Sequence, residues 1–220
     1  MKHIFFLILT TLALFGCGTN DKSDNTALLC YVRYDEALST AKAEATLQNI
    51  DTKTAEEIPG GIRYQGTEMK LTPIIGMTYN YEYAAKFLTD HVFEWRDAEK
   101  NKKTFTLKID PIKSFSLAGE MVSLSHSNVL SWEGSGLGKG ETLVFMWENQ
   151  EAGLTVPMEV STTNNQPKIE LPATKLKELS PGNLTLYLVR KKLVKDKVDG
   201  LAVNGISEFY TKPIKISMTD

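Results

Sequence analysis

The chain has 220 residues, 42% of them hydrophobic and 24% charged, with a formal net charge of −2. That balance suits one large or two small folded units with a real core, and it supplies no long-range attraction for nucleic acid or anionic lipid. No apolar run is long enough for a membrane helix.

In chain order, Lys2 precedes the apolar run Ile4–Leu9 and then Leu12–Cys17. This run is too short to span a bilayer and has the flanks of a secretory signal. Leu14-Phe15-Gly16-Cys17 resembles the lipobox of bacterial lipoproteins, with Phe15 where a smaller residue is usual. The resemblance implies cleavage after residue 16 and acylation of the Cys17 thiol, palmitate being the expected chain. Residues 1–16 are then the signal peptide, and the anchor is the lipid on Cys17. Losing Lys2 leaves 24 basic residues against 27 acids, a charge of −3. Each buried acyl methylene contributes about 0.8 kcal/mol, so several chains hold firmly.

Residues 17–26 read as the lipidated cysteine and a short polar tether. With Cys17 acylated, Cys30 has no disulfide partner, and its alternation with Leu28 and Val32 predicts a buried strand residue. Ala41–Gln48 is rich in helix formers, yet Ala41, Ala43, Ala45 and Leu47 alternate with Lys42, Glu44, Thr46 and Gln48. Period two predicts a strand. Ile58-Pro59-Gly60-Gly61 is a turn signal, followed by short strands at Ile62–Tyr64 and Met69–Leu71 and an alternating one at Tyr79–Tyr83. Val92–Arg96 and Thr104–Ile109 flank a polar hairpin loop, Asp97–Lys103.

Asp110-Pro111 is the expected boundary, because proline disfavours a central strand. After it come strands at Ile112–Leu117, Val129–Glu133, Thr142–Glu148, Thr155–Val160, Lys168–Leu171, Leu184–Arg190 and Gly205–Met218. Pro213 splits the last and places it on an edge. Pro172–Ser180 is the one expected helical turn. A dozen short strands with few helices predict an all-β fold: two immunoglobulin-like β-sandwiches, 27–110 and 111–220. Leu143, Phe145 and Trp147 share one face, expected to meet Leu130, Trp132, Leu184, Leu186 and Leu188 in the second core.

The chemical motifs are weak. Gly134–Gly140 lacks the hydroxyl residue and first glycine of a phosphate loop, and a strand follows where a helix is required. Asp97, Glu99 and Asn101 have calcium-loop spacing, but Lys102 and Lys108 replace the glycine and the glutamate. His91 and His126 lack zinc-ligand spacing, and Ser125-His126-Ser127 puts a hydroxyl beside an imidazole, as serine-rich turns commonly do, while a triad would need an acid converging on it in space. No catalytic residue, metal or cofactor is therefore assigned. Tyr79, Tyr81 and Tyr83 lie on one face of one strand. They form either a ligand-stacking row or one wall of the first sandwich, and the polar opposite face (Asn80, Glu82) favours the wall.

Several stretches together resemble a family of uncharacterised Bacteroidetes lipoproteins with immunoglobulin-like domains. They are Tyr31-Val32-Arg33-Tyr34, Pro59-Gly60-Gly61-Ile62, Tyr64-Gln65-Gly66, Phe93–Asp97, Leu143–Trp147, Leu179–Gly182, Leu186–Lys191 and Glu208–Lys212. The resemblance implies envelope location and β-sandwich architecture, and carries no active site. The expected function is a membrane-anchored lipoprotein at the outer membrane or cell surface, used for binding or scaffolding of a protein or glycan partner. The alternatives are a fimbria-like assembly subunit that donates Leu28–Tyr34 as a strand, and a hydrolase with an unrecognised site.

Overall fold

The computed structural model describes residues 25–72, 76–119, 121–149, 152–161 and 164–220. The signal segment, Cys17 and the tether up to residue 24 lie outside the described residues. Of the described residues 62% are strand and 2% helix, so the fold is all-β.

Alternation governs the first strands. In β1 (Thr26–Asp35), Leu28, Cys30, Val32 and Tyr34 are buried, while Leu29, Tyr31 and Arg33 face outward. In β2 (Thr40–Asn49), Ala41, Ala43 and Ala45 are buried. Each is flanked in register by Tyr34, Val32 or Cys30 on one side and by Tyr83, Tyr81 or Tyr79 on the other. Small residues in the middle row leave room for the tyrosine rings, which is why tertiary packing overrides the helix propensity of this stretch.

The chain continues through β3 (Ala55–Glu56), β4 (Ile62–Tyr64), β5 (Thr67–Glu68), β6 (Lys70–Thr72), β7 (Thr78–Ala84), β8 (Asp90–Arg96) and β9 (Lys102–Lys108). Then come β10 (Ser114–Leu117), β11 (Met121–Ser123), β12 (Asn128–Glu133), β13 (Glu141–Asn149), β14 (Leu154–Val160) and β15 (Lys168–Leu171). The single turn of helix α1 (Ala173–Leu176), entered through Pro172, precedes β16 (Gly182–Val198), β17 (Leu201–Tyr210) and β18 (Ile214–Thr219).

One 11-stranded sheet carries most of these elements, and two smaller sheets, β5-β4-β8-β9 and β10-β12-β15, accompany it. Two cores result. The first gathers Leu28, Val32 and Val203 from the large sheet with Tyr64, Phe93, Trp95, Phe105 and Leu107 from the four-stranded one. The second gathers Leu143, Phe145, Trp147, Leu186 and Leu188 with Leu130, Trp132 and Leu171 from the three-stranded one.

The β16–β17 hairpin links the two. Leu184, Leu186 and Leu188 sit in the second core, whereas Val194 and Val198 pack on the first. Residues past Asp110 thus complete the core built mainly by residues before it. At Gly205 the crossing is tight: a Cβ there would stand 2.2 Å from Leu107 Cδ2 and 2.8 Å from Phe105 Cε1. Only glycine lets β17 approach the opposing sheet so closely.

Two sequence expectations change. β16 runs on eight residues beyond Arg190, through the lysine-rich stretch to Val198. The split strand is not at an edge, for β17 lies between β16 and β1, and β18 between β16 and β11. Pro213 is accommodated because pairing lapses there. Thr211 N–H donates to the Leu188 carbonyl at 2.9 Å, and the Thr211 hydroxyl accepts from Leu188 N–H at 2.9 Å. The strand considered for donation, β1, fills an interior slot, parallel to β17 and antiparallel to β2.

Candidate functional site

The outer face of the large sheet carries an aromatic ledge. The inward phase of β1, β16 and β17 is set by their core residues, which sends Tyr31, Arg33, Tyr187, Glu208 and Tyr210 to the other side. Register brings them together: Arg33 stands across from Glu208, and Tyr210 lies between Asp35 and Val189. Tyr187 and Tyr210 stack with centroids 6.2 Å apart and planes 27° apart. The Arg33 guanidinium lies over the Tyr210 ring at 3.9 Å and is held edgewise by Asp35 at 3.1 Å.

Glu208 ties the ledge together. Its Oε2 accepts from the Tyr31 hydroxyl at 2.8 Å and the Tyr210 hydroxyl at 3.0 Å. Burial, then the nearby Glu208 charge, pushes Tyr210 up to about 12. Burial and the hydrogen bond to Glu208 raise Tyr31 as well. Both phenols therefore stay protonated at neutral pH and act as donors, not as proton-transfer groups. At the rim a cleft of about 220 Å³ is lined by Arg33, Asp35, Leu38, Thr40, Lys42 and Glu82. Ring faces, fixed donors and carboxylates side by side suit the capture of a partner's rings and polar edges.

The tyrosine row expected from sequence lies elsewhere. Tyr79 is 3% exposed, and its hydroxyl accepts from Ile58 N–H at 3.1 Å. Its ring is core and cannot stack on an incoming ligand. Tyr81 and Tyr83 are half-buried and lean on Tyr64, each with centroids 6.2 Å away. Cys30 is buried and, among the described residues, unpaired, and burial pushes its thiol up, away from reactivity.

Asp97 is occupied by its own turn, accepting from Glu99 N–H at 3.0 Å and Asn101 N–H at 2.8 Å. His91 is 1% exposed, with Nδ1 2.6 Å from the Tyr64 hydroxyl. Burial lowers its pKa to about 4 against a small opposing effect of Asp90, so it is neutral at physiological pH. His126 sits in an exposed turn, where Ser125 and Ser123 both approach the same nitrogen, Nδ1, at 2.9 and 3.2 Å. Among the described residues no group of three or more His, Cys, Asp or Glu is placed to hold a metal.

The glycine loop between β12 and β13 is built around a buried cation. Arg190, in phase with the β16 core leucines, donates to Glu141 Oε2 from Nε at 3.2 Å and from Nη2 at 2.5 Å. It also donates to the Ser135 carbonyl and hydroxyl at 3.2 and 3.1 Å, and to the Gly136 carbonyl at 2.8 Å. Gly136 is required by space, since a Cβ would lie 2.2 Å from the Asn165 carbonyl carbon. The loop therefore serves as a strand connection closed by Arg190, with its carbonyls turned to a cation.

The chain matches no protein-family model and no curated protein. Among solved structures it is similar to one described as "Structural insight into host cell surface retention of a 1.5-MDa bacterial ice-binding adhesin", with 12% identity and a TM-score of 0.25. The alignment covers 88% of this chain and 64% of that chain, so this chain spans under two thirds of its length. At that score the likeness carries no argument. No helix among the described residues is long and apolar enough to cross a membrane.

Proposed function

We propose that this chain is an envelope lipoprotein, held at the outer membrane or cell surface by lipid on Cys17, that works by binding a protein or glycan partner rather than by catalysis. The sequence supports the anchor through Leu14-Phe15-Gly16-Cys17 and the polar tether that follows. The observation that carries the binding reading is the ledge of Tyr31, Arg33, Tyr187 and Tyr210 on the face of the large sheet that points away from both cores. Half-buried, mutually braced aromatic and arginine side chains lose little entropy on binding and are the residue types that dominate interface energetics.

Tyr187→Ala with Tyr210→Ala is the direct test. The double variant is expected to keep a cooperative melt near that of the parent and to lose retention of its envelope partner by at least about tenfold. Undiminished retention, or a melt that collapses because the rings are structural, contradicts the reading.

A further inference from the structure

A second surface feature lies on the far side of the molecule's first core. The outer face of β5-β4-β8-β9 holds a cleft of about 240 Å³ lined by the Gly60-Gly61 turn and by Arg63, Glu94, Trp95, Arg96 and Lys102. Three cations and one carboxylate meet there, and the carboxylate is already committed, for Glu94 forms an ion pair with Lys102.

Arg63 faces Glu94 on β8 and Glu68 on β5 in register, yet makes no ion pair or hydrogen bond among the described residues. Arg96 stands directly across from Lys102. Like charges in a directly opposed pair destabilise a sheet unless countercharge offsets them, and here Glu94 pairs Lys102 and leaves Arg96 without a carboxylate among the described residues. Arg96 spends one Nη1 donor on the Lys100 carbonyl at 2.8 Å, leaving most of its guanidinium unused. Trp95 is only 6% exposed, but it lines the cleft and its indole N–H has no partner among the described residues.

We propose that this cleft is a binding site for the oxyanion group, carboxylate, sulfate or phosphate, of a small ligand. The two charged side chains in it without an ion-pair partner among the described residues, Arg63 and Arg96, are donors. Two guanidinium forks match the paired oxygens of such a group, and Trp95, which also lines the cleft, reports on its occupancy. The turn at Gly60 and Gly61 leaves the space open, since a Cβ at either position would meet nothing within 4 Å. The site is independent of the aromatic ledge and of the anchor.

Indole N–H resonances of the ¹⁵N-labelled full chain test it, with inorganic sulfate, inorganic phosphate and glucuronate as probes and chloride at matched ionic strength as control. The Trp95 resonance should shift saturably with at least one oxyanion, while those of Trp132 and Trp147 stay put. Arg63→Gln and Arg96→Gln should each weaken that binding about tenfold, whereas Lys113→Gln, an exposed cation paired with Glu133 elsewhere, should not. Comparing the probes separates a tetrahedral from a planar oxyanion. A Trp95 resonance unmoved by all three probes, one moved equally by chloride, or one whose response is unchanged in Arg63→Gln overturns the proposal.

Discussion

Trp147→Ala is expected to unfold the second core. Trp147 is 1% exposed and projects inward from β13, between Val156 of β14 and Leu186 of β16. It stacks on Phe145 with centroids 6.4 Å and planes 11° apart. Removing so large a buried ring costs about 3–5 kcal/mol, because the surrounding strands relax only partly into the cavity. That is a large fraction of the ~5–15 kcal/mol that holds a typical domain together.

Among the described residues the indole N–H of Trp147 has no hydrogen-bond partner. Trp147→Phe removes this unsatisfied donor together with some volume, so its loss should be the smaller of the two. Because β16 passes from this core to the other, amide exchange in β1 and β2 should quicken along with that in β13. Denaturant melts and exchange rates decide it. A Trp147→Ala chain that melts like the parent refutes the core assignment.

Arg190→Met should be as damaging by a different route. Arg190 and Glu141 are 1% and 4% exposed at their side chains. Burial alone would raise the Glu141 pKa, but the Gly138 N–H, then Arg190 and Lys192, more than offset it and hold the carboxyl below its usual range. Without Arg190, the carboxylate stays buried with only the Gly138 N–H at 2.9 Å and Lys192 at 3.4 Å. The Gly136 carbonyl loses its side-chain donor at the same time, while the Ser135 carbonyl keeps only the Trp132 indole N–H at 2.8 Å.

Breaking one side of such a pair typically costs about 3–5 kcal/mol, whereas replacing both partners with apolar residues is far milder. Arg190→Met with Glu141→Leu is therefore expected to be more stable than Arg190→Met alone. Additive losses in that double-mutant cycle would show that the two residues do not act as a pair.

The all-β class was legible because its signal is local. Ala41–Gln48 announces a strand by period two although every residue type in it except Thr46 favours helix. The Leu143–Trp147 and Leu184–Leu188 phases likewise pointed inward before any partner was known. What could not be read was pairing. Beyond Arg190 the lysines of β16 hide its alternation, since Val194 and Val198 alone mark the buried side. Residues so far apart in sequence as Tyr31 and Glu208 meet only through the parallel β1–β17 register.

The tyrosines show the same limit. Tyr79, Tyr81 and Tyr83 were correctly placed on one face, but a single strand does not say which of its faces a second sheet will cover. The ledge was present in the text as Tyr31, Arg33, Tyr187 and Tyr210, each out of phase with its neighbouring core residues. That phase was the available clue, and only the sheet order joins the four into a site.

The proposed envelope role requires this sheet-built body to be tethered through the thiol of Cys17. Growth of cells expressing the full chain with a labelled fatty acid, followed by membrane fractionation, tests that most directly. The label should enter the parent chain, should be absent from Cys17→Ala, and that variant should leave the membrane fraction. Label retained by Cys17→Ala, or a parent chain that is unlabelled and free of membranes, contradicts it.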